Sequence, residues 1–260
     1  MAAPTAESDG SKSGLETRAV FLGSPTRVIA TAIAIFLASQ FAVLFLGYVV
    51  GGLTHRSLDK LNNQDWFLTL SILISELFVI ALVVKTVRGR RLSLGAIGLG
   101  RRPVVSDIWK GILTWGAFMA VFVVIGSLLN SLSPSLNQEK QDIGFNQINT
   151  GLDQAFAFVA LVIFPPLGEE VLFRGYLFSG LRKVWRFWPA LLVTSLLFGA
   201  PHLLEADHGL LWSGAIETFV LSVFLCFLRQ RTGALYAGIL VHMLNNLLAF
   251  GIHFHISLIK

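Results

Sequence analysis

Gly168-Glu169-Glu170-Val171-Leu172-Phe173-Arg174 sets two adjacent carboxylates and a guanidinium inside an apolar segment running from about Leu152 to Leu181. A charged side chain at the centre of a bilayer costs roughly 2.5–3.5 kcal/mol on insertion scales. Three of them in one turn and a half need compensation. Residues four apart on a helix share a face, so Arg174 can bridge back to Glu170. Glu169 is turned about 100° from Glu170 at 3.6 residues per turn and has no cation of its own nearby in sequence. The paired carboxylate would fix the helix, and the free one could accept a proton. A purely structural ion pair between helices is the simpler alternative.

Composition places the whole chain around such segments. Of 260 residues, 54% are hydrophobic and only 13% charged, with a mean hydropathy of +0.71. Soluble domains carry about 25% charged residues, so the expected fold is all-α, a polytopic transmembrane helix bundle. The net charge of +5 reads as a topology signal and not as a nucleic-acid footprint. A single cysteine, Cys226, permits no internal disulfide and no cysteine-based metal cluster.

A spanning helix needs about 20 largely apolar residues. Seven stretches approach that length, with six to eight as the range: Val28 to about Leu53, Trp66 to Val84, Ile108 to about Leu129, the acidic stretch from Leu152, Trp188 to about Leu204, Leu210 to Leu228, and Ala234 to about Ile256. Residues 1–26 are polar and rich in small residues and read as a disordered cytoplasmic tail, leaving 27–260 as the membrane domain. Between the second and third stretches lie Lys85, Arg88, Arg90, Arg91, Arg101 and Arg102. The positive-inside rule puts this loop in the cytoplasm. Alternation then places the N-terminus inside with Arg182-Lys183-Arg186 and Arg229-Arg231, and leaves Ser131–Gly151 as an outer loop holding Lys140, with Lys260 also outside. Trp66, Trp109, Trp185, Trp188 and Trp212 fall near predicted helix ends as an aromatic belt.

The fourth stretch contains Pro165-Pro166. Proline lacks an N–H, and the residue before it avoids the helical region. The expectation is a broken helix, with pieces Leu152–Phe164 and Leu167–Leu181, and a fresh N-terminus whose partial positive charge lies close to the Glu pair.

Other polar residues in the apolar stretches decide how the acidic motif is read. His202 ends the fifth stretch in Phe198-Gly199-Ala200-Pro201-His202, and His242-Met243-Leu244-Asn245-Asn246 lies in the seventh, with His242 and Asn246 on one face. Counting 1.5 Å per residue from the cytoplasmic ends gives depths of about 20 Å for Glu169, 21 Å for His202, 14 Å for His242 and 20 Å for Asn246 in a core about 30 Å thick. The four converge near the midplane, where unrelated polar residues have no reason to meet.

Glu-Glu-x-x-x-Arg, then Phe-x-x-x-His, then His-x-x-x-Asn, each on its own membrane helix, resembles the CPBP intramembrane proteases. This family includes the CaaX prenyl endopeptidases and the Abi-type bacteriocin-processing and bacteriocin-immunity proteins. The resemblance covers roughly Leu152 to Phe250, and 152–250 is read as the catalytic core. It implies that Glu169 is the general base that activates water and that His202 helps to bind or polarise that water. His242 and Asn246 would hold the oxyanion, and Glu170 and Arg174 would support them. Peptide hydrolysis needs this set of a base, a positioned water and donors aimed at the developing charge.

Glu169, His202 and His242 could also ligate zinc, since three protein ligands plus water is a catalytic zinc pattern, but no His-Glu-x-x-His pair is present. The favoured reading requires no cofactor. The expected substrate is a membrane-associated peptide or protein, prenylated at its C-terminus if the host prenylates. A non-proteolytic immunity or scaffold protein is the alternative function, and a proton-relay transporter a third. Glu76 and Glu217 could each be protonated, partnered or lining the cavity and are set outside the catalytic set, and Glu205, Asp207 and His208 read as solvated loop charges.

Overall fold

The computed structural model describes residues 23–133, 141, 143–145, 151–206 and 208–254. Positions 1–22 of the expected tail lie outside the described residues, as do Lys140, Asp207, Lys260 and most of the loop before Gly151. The described chain is all-α. The helices are α1 (Pro25–Thr54), the short α2 (Leu58–Asn62), α3 (Asp65–Gly89), α4 (Val105–Leu132), α5 (Gly151–Arg182), α6 (Phe187–Gly199), α7 (Trp212–Thr232) and α8 (Tyr236–His253). A 3-10 turn, Leu94–Ile97, precedes α4, and another, Pro201–Leu204, extends α6.

Six of these elements are long and apolar enough to cross a membrane: α1, α3, α4, α5, α6 with its 3-10 extension, and α7. The seventh stretch is helical as α8, but His242, Asn245, Asn246 and His253 dilute its apolar character. The chain is an integral, multi-pass membrane protein. Large apolar side chains such as Phe41, Phe45, Leu53, Leu113 and Val123 face outward. This is the inverse of a soluble surface and suits lipid.

α5 is the axis of the bundle. It packs against α1, α3, α6, α7 and α8, while α4 lies outside on α7 and α8. From Glu170 to Leu181 every residue of α5 is buried. Tyr176, Leu177 and Phe178 join Val28, Val79, Phe198 and Cys226 in the main apolar cluster.

The expected break at Pro165-Pro166 does not occur. Gly151 to Arg182 runs as one helical element, and Phe164, just before the prolines, keeps helical φ and ψ of −71° and −48°. The run is not uniform α, because Val159–Ile163 and Glu170–Phe178 are π-helical. The wider turns absorb the register change that two prolines impose. The Phe164 N–H donates to the Val159 carbonyl. The Leu161 carbonyl then has only prolines at the α and π donor positions, and the Asn246 side chain, from α8, donates to it at 2.9 Å. A tertiary hydrogen bond thus stands where the helix would otherwise have ended. With no break there is no free helix N-terminus beside Glu169, and the electrostatic help expected from one is absent.

One end of the bundle is tied by backbone and side-chain contacts. Leu235 N–H donates to the Gly98 carbonyl at 3.2 Å, and Arg229 donates to Ser179 Oγ at 3.0 Å. Gly98 has φ +86°, and a Cβ there would meet the Arg229 guanidinium at 3.0 Å, so the turn takes this path only with glycine. Arg101 forms a two-pronged bridge to Asp107 at 2.6 and 2.7 Å, which also closes the start of α4. At the other end, Gln141 pairs with Ala206 through an isolated β-bridge and donates to Glu205 at 2.8 Å. The loops before α4 and after α7 therefore share one side, and those before α5 and after α6 share the other, as helix alternation requires.

Candidate active site

Each charge of the opening motif has a distinct environment. Arg174 Nη1 donates to Glu170 Oε1 at 2.8 Å, with side chains 0% and 1% exposed. The pairing read from the four-residue spacing is present, and it is dry. The Arg174 guanidinium also lies 4.1 Å from the centroid of the Phe198 ring. Cation–π attraction strengthens in such desolvated settings. Glu169, one residue earlier, has a side chain 26% exposed and reaches a cavity instead.

His242 joins the two acids. Its Nε2 lies 3.8 Å from Glu169 Oε2, and its Nδ1 lies 3.4 Å from Glu170 Oε1. Sequence spacing turned the two carboxylates apart. The imidazole from α8 bridges that divergence, one ring nitrogen toward each. Phe198 holds the ring edge-on at 5.7 Å and 79°, so both Arg174 and His242 rest on the same aromatic side chain.

His202 sits where α6 passes into its 3-10 extension. Its Nδ1 lies 3.0 Å from the Phe198 carbonyl. A carbonyl only accepts, so Nδ1 carries the proton, and in the neutral ring Nε2 keeps a lone pair. That lone pair can accept a hydrogen bond from water. Glu205 Oε1 lies 3.9 Å from Nε2.

Glu169 and His202 line one cavity of about 330 Å³ between α1, α3, α5 and the end of α6. Its wall combines Phe36, Val79, Leu172 and Phe173 with Ser39, Gln40, Ser71 and Ser75. Ser71 Oγ, Glu76 Oε2 and Glu169 Oε2 are buried without a protein hydrogen-bond partner. Buried oxygens of this kind are normally satisfied by water or by a ligand, so the cavity is chemically suited to hold a polar reactant within the membrane.

One sequence reading changes and another is narrowed. Glu205 is not a detached loop charge, because it lines the same cavity. Of the roles left open for Glu76, the structure shows that it lines this cavity. One amide hydrogen of Asn246 is given to the Leu161 carbonyl. Its amide nitrogen keeps a second hydrogen, which leaves a donor to spare. Glu217 is partnered by Asn245 at 3.3 Å. The sequence signal for Glu76 was only its presence, charged, inside an apolar helix.

Of the alternative zinc set, Glu169 and His202 line one cavity and His242 Nε2 lies 3.8 Å from Glu169. Glu169 and His242 approach each other, but among the described residues no three His, Cys, Asp or Glu groups are placed to hold one metal ion.

Residues 151–248 match the family model described as Type II CAAX prenyl endopeptidase Rce1-like. This block, under half of the chain, is similar to that family. The match contains all seven residues of the three motifs and begins where α5 begins. A Bacillus subtilis (strain 168) protein named "Putative membrane peptidase YdiL" is 29% identical over 231 residues, covering 84% of each chain. An Escherichia coli protein named "Uncharacterized 24.3 kDa protein" is 34% identical over 143 residues, 54% of this chain and 64% of that protein. The chain thus spans just under two thirds of that relative. No solved structure matches the chain. The family block lies on α5 to α8, while α1 and α3, which supply half of the cavity wall, precede it.

Asn246→Leu removes the donor to the Leu161 carbonyl. An unsatisfied buried carbonyl costs about 1–3 kcal/mol. The variant is expected to melt several degrees lower in detergent while keeping its helix content, as read by far-UV circular dichroism. An unchanged melting temperature would count against the rescue of the proline-orphaned carbonyl.

Proposed function

We propose that the chain is an intramembrane endopeptidase that hydrolyses a membrane-associated peptide with a water activated by Glu169. The observation that carries this is the meeting of Glu169 and His202 at one polar cavity, with His242 Nε2 3.8 Å behind the Glu169 carboxylate. Water in the cavity gives a proton to Glu169 and accepts orientation from the His202 Nε2 lone pair. Its oxygen attacks the scissile carbonyl carbon. The oxyanion that forms is held by His242 through Nε2–H, with the spare Asn246 hydrogen as a second donor. One such donor is commonly worth about 3–4 kcal/mol in the transition state. Glu170 and Arg174 hold the helix and the His242 ring in place and touch no reactant.

The mechanism needs no metal. The substrate is a peptide that enters from the bilayer, and a prenylated C-terminus is the form suggested by the similarity to the CAAX prenyl endopeptidases. The second reading, a non-proteolytic scaffold, has no observation in its favour, since no motif residue is missing.

The test is hydrolysis of a peptide library by the full chain in liposomes, with farnesylated and unmodified C-terminal members. Wild type should cleave, and Glu169→Ala and His242→Ala should not. Equal cleavage by all three would remove the assigned site, and loss of activity with phenanthroline would bring a metal back into the mechanism. We also place the N-terminus in the cytoplasm, on the arginine-rich loop before α4. Cysteines at the exposed Lys60 and Arg102, with native Cys226 buried, should label from opposite sides of the membrane. Labelling of both from one side contradicts the topology.

A further inference from the structure

We infer that Glu76 is the second acid of this site and supplies the proton that the departing amine needs. The inference rests on the endopeptidase reading above and adds a residue that lies on α3, outside the 151–248 match.

Three observations carry it. Glu76 and Glu169 line the same cavity from opposite helices. Oε2 of each is buried without a protein hydrogen-bond partner, and among the described residues no lysine, arginine or histidine pairs with Glu76. The third is Gly168. A Cβ at this position would come within 3.0 Å of Glu76 Cδ and 3.1 Å of its Cβ, and closer still to Oε2. The backbone next to Glu169 is left bare at the point where the Glu76 carboxyl group lies against it. A helix-interior glycine costs roughly 1 kcal/mol relative to alanine, and here it admits a second acid to the site.

Two carboxyl groups that share one cavity hold a proton between them more readily than two charges. The charged and titratable groups around Glu76 are Glu169 on α5 and His202 and Glu205 at the end of α6. α1 contributes only the uncharged Ser39 and Gln40. One acid ionised and the other protonated is the division of labour that amide hydrolysis requires.

The step balances. Glu169 takes one proton from water as the water oxygen bonds to the carbonyl carbon and the carbonyl electrons move to its oxygen. The oxyanion then re-forms the carbonyl, and the C–N bond breaks with its electron pair going to nitrogen. Nitrogen takes the Glu76 proton and leaves as a neutral amine. The second water proton stays on the new carboxylic acid. Glu76 is now a carboxylate and Glu169 a carboxylic acid, and proton transfer from Glu169 to Glu76 restores the start.

The test compares a peptide cleaved by wild type with the same sequence carrying an ester at the scissile bond. An amine must be protonated to leave, whereas an alcohol depends on this far less. Glu76→Gln keeps the size and loses the acidic proton. It is expected to lower kcat on the amide by about 100-fold or more, as for a general acid, with KM within about threefold, and to lower kcat on the ester by less than about fivefold. Glu76→Asp should recover part of the amide rate. The amide-to-ester ratio is measured within each sample, so partial misfolding does not alter it. An unchanged ratio in Glu76→Gln overturns the inference, whether both rates fall together or neither falls. Full activity of Glu169→Gln on both substrates overturns the endopeptidase site itself, so the two failures are told apart.

Discussion

Glu169→Gln is expected to lower kcat for peptide hydrolysis by at least about 100-fold, with KM changed by less than about threefold. A positioned general base contributes typically 10²–10⁴-fold. The loss falls on kcat because Glu169 acts on water in the transition state and is not a main contact of the bound peptide. The variant should also fold normally. Glu169 is outside the Glu170–Arg174 ion pair, and its Oε2 has no protein hydrogen-bond partner to lose. Gln removes a charge from the membrane interior, which costs nothing in stability. A melting temperature in detergent at or above wild type, together with near-complete loss of hydrolysis in liposomes, is the expected pair of results. Retained hydrolysis would take the base role away from Glu169. Reduced hydrolysis with a matching fall in stability would make it a structural residue instead.

Arg174→Met is expected to be the most destabilising single change in the chain. Arg174 is fully buried, so its loss leaves the Glu170 carboxylate in apolar surroundings beside His242 Nδ1 at 3.4 Å. Removing one member of a buried pair typically costs about 3–5 kcal/mol. The contact with the Phe198 ring goes as well. Folded proteins are stable by about 5–15 kcal/mol, so this change should sharply reduce the amount of folded protein recovered from membranes and lower its melting temperature. The double variant Glu170→Leu, Arg174→Met should regain much of the loss, because replacing a whole buried pair by apolar residues is often neutral. It should not regain activity, because Glu170 no longer faces His242 Nδ1. A single variant as stable as wild type would show that the pair is not a strut. A double variant with full hydrolysis would show that the strut does not position the histidine.

These two residues differ in how far local sequence reveals them. The Glu170–Arg174 pair follows from helical periodicity alone, and the structure keeps it although the local helix is π and not α. The meeting of Glu169 with His242 was legible only as a match of depths, because 1.5 Å per residue fixes height along the bilayer but not azimuth around the bundle. Glu76 had no such signal. A single carboxylate in an apolar helix reads alike whether it faces a cavity, a partner or a neighbouring acid. Glu205 was assigned to solvent by its position in a loop, and only the fold turns that loop back over the cavity through the Gln141 contacts.

The sequence by itself determined the class of the protein. A chain 54% hydrophobic and 13% charged, with apolar stretches of membrane length, can bury its backbone polar groups in lipid only as helices or a closed barrel, and the long uninterrupted apolar runs select helices. It also determined the three motifs and their order. The tertiary structure decided what the prolines do. Read locally, Pro165-Pro166 ends a helix, because two N–H donors are missing from the chain. In the bundle the lost bond is replaced from 85 residues away, by Asn246 on the Leu161 carbonyl, and α5 continues. Local rules count only the donors within a few residues, while the stability of a helix inside a bundle depends on all donors within reach. The same limit applies at the other end of the site, where a glycine at 168 acquires its meaning only from the glutamate of another helix packed against it.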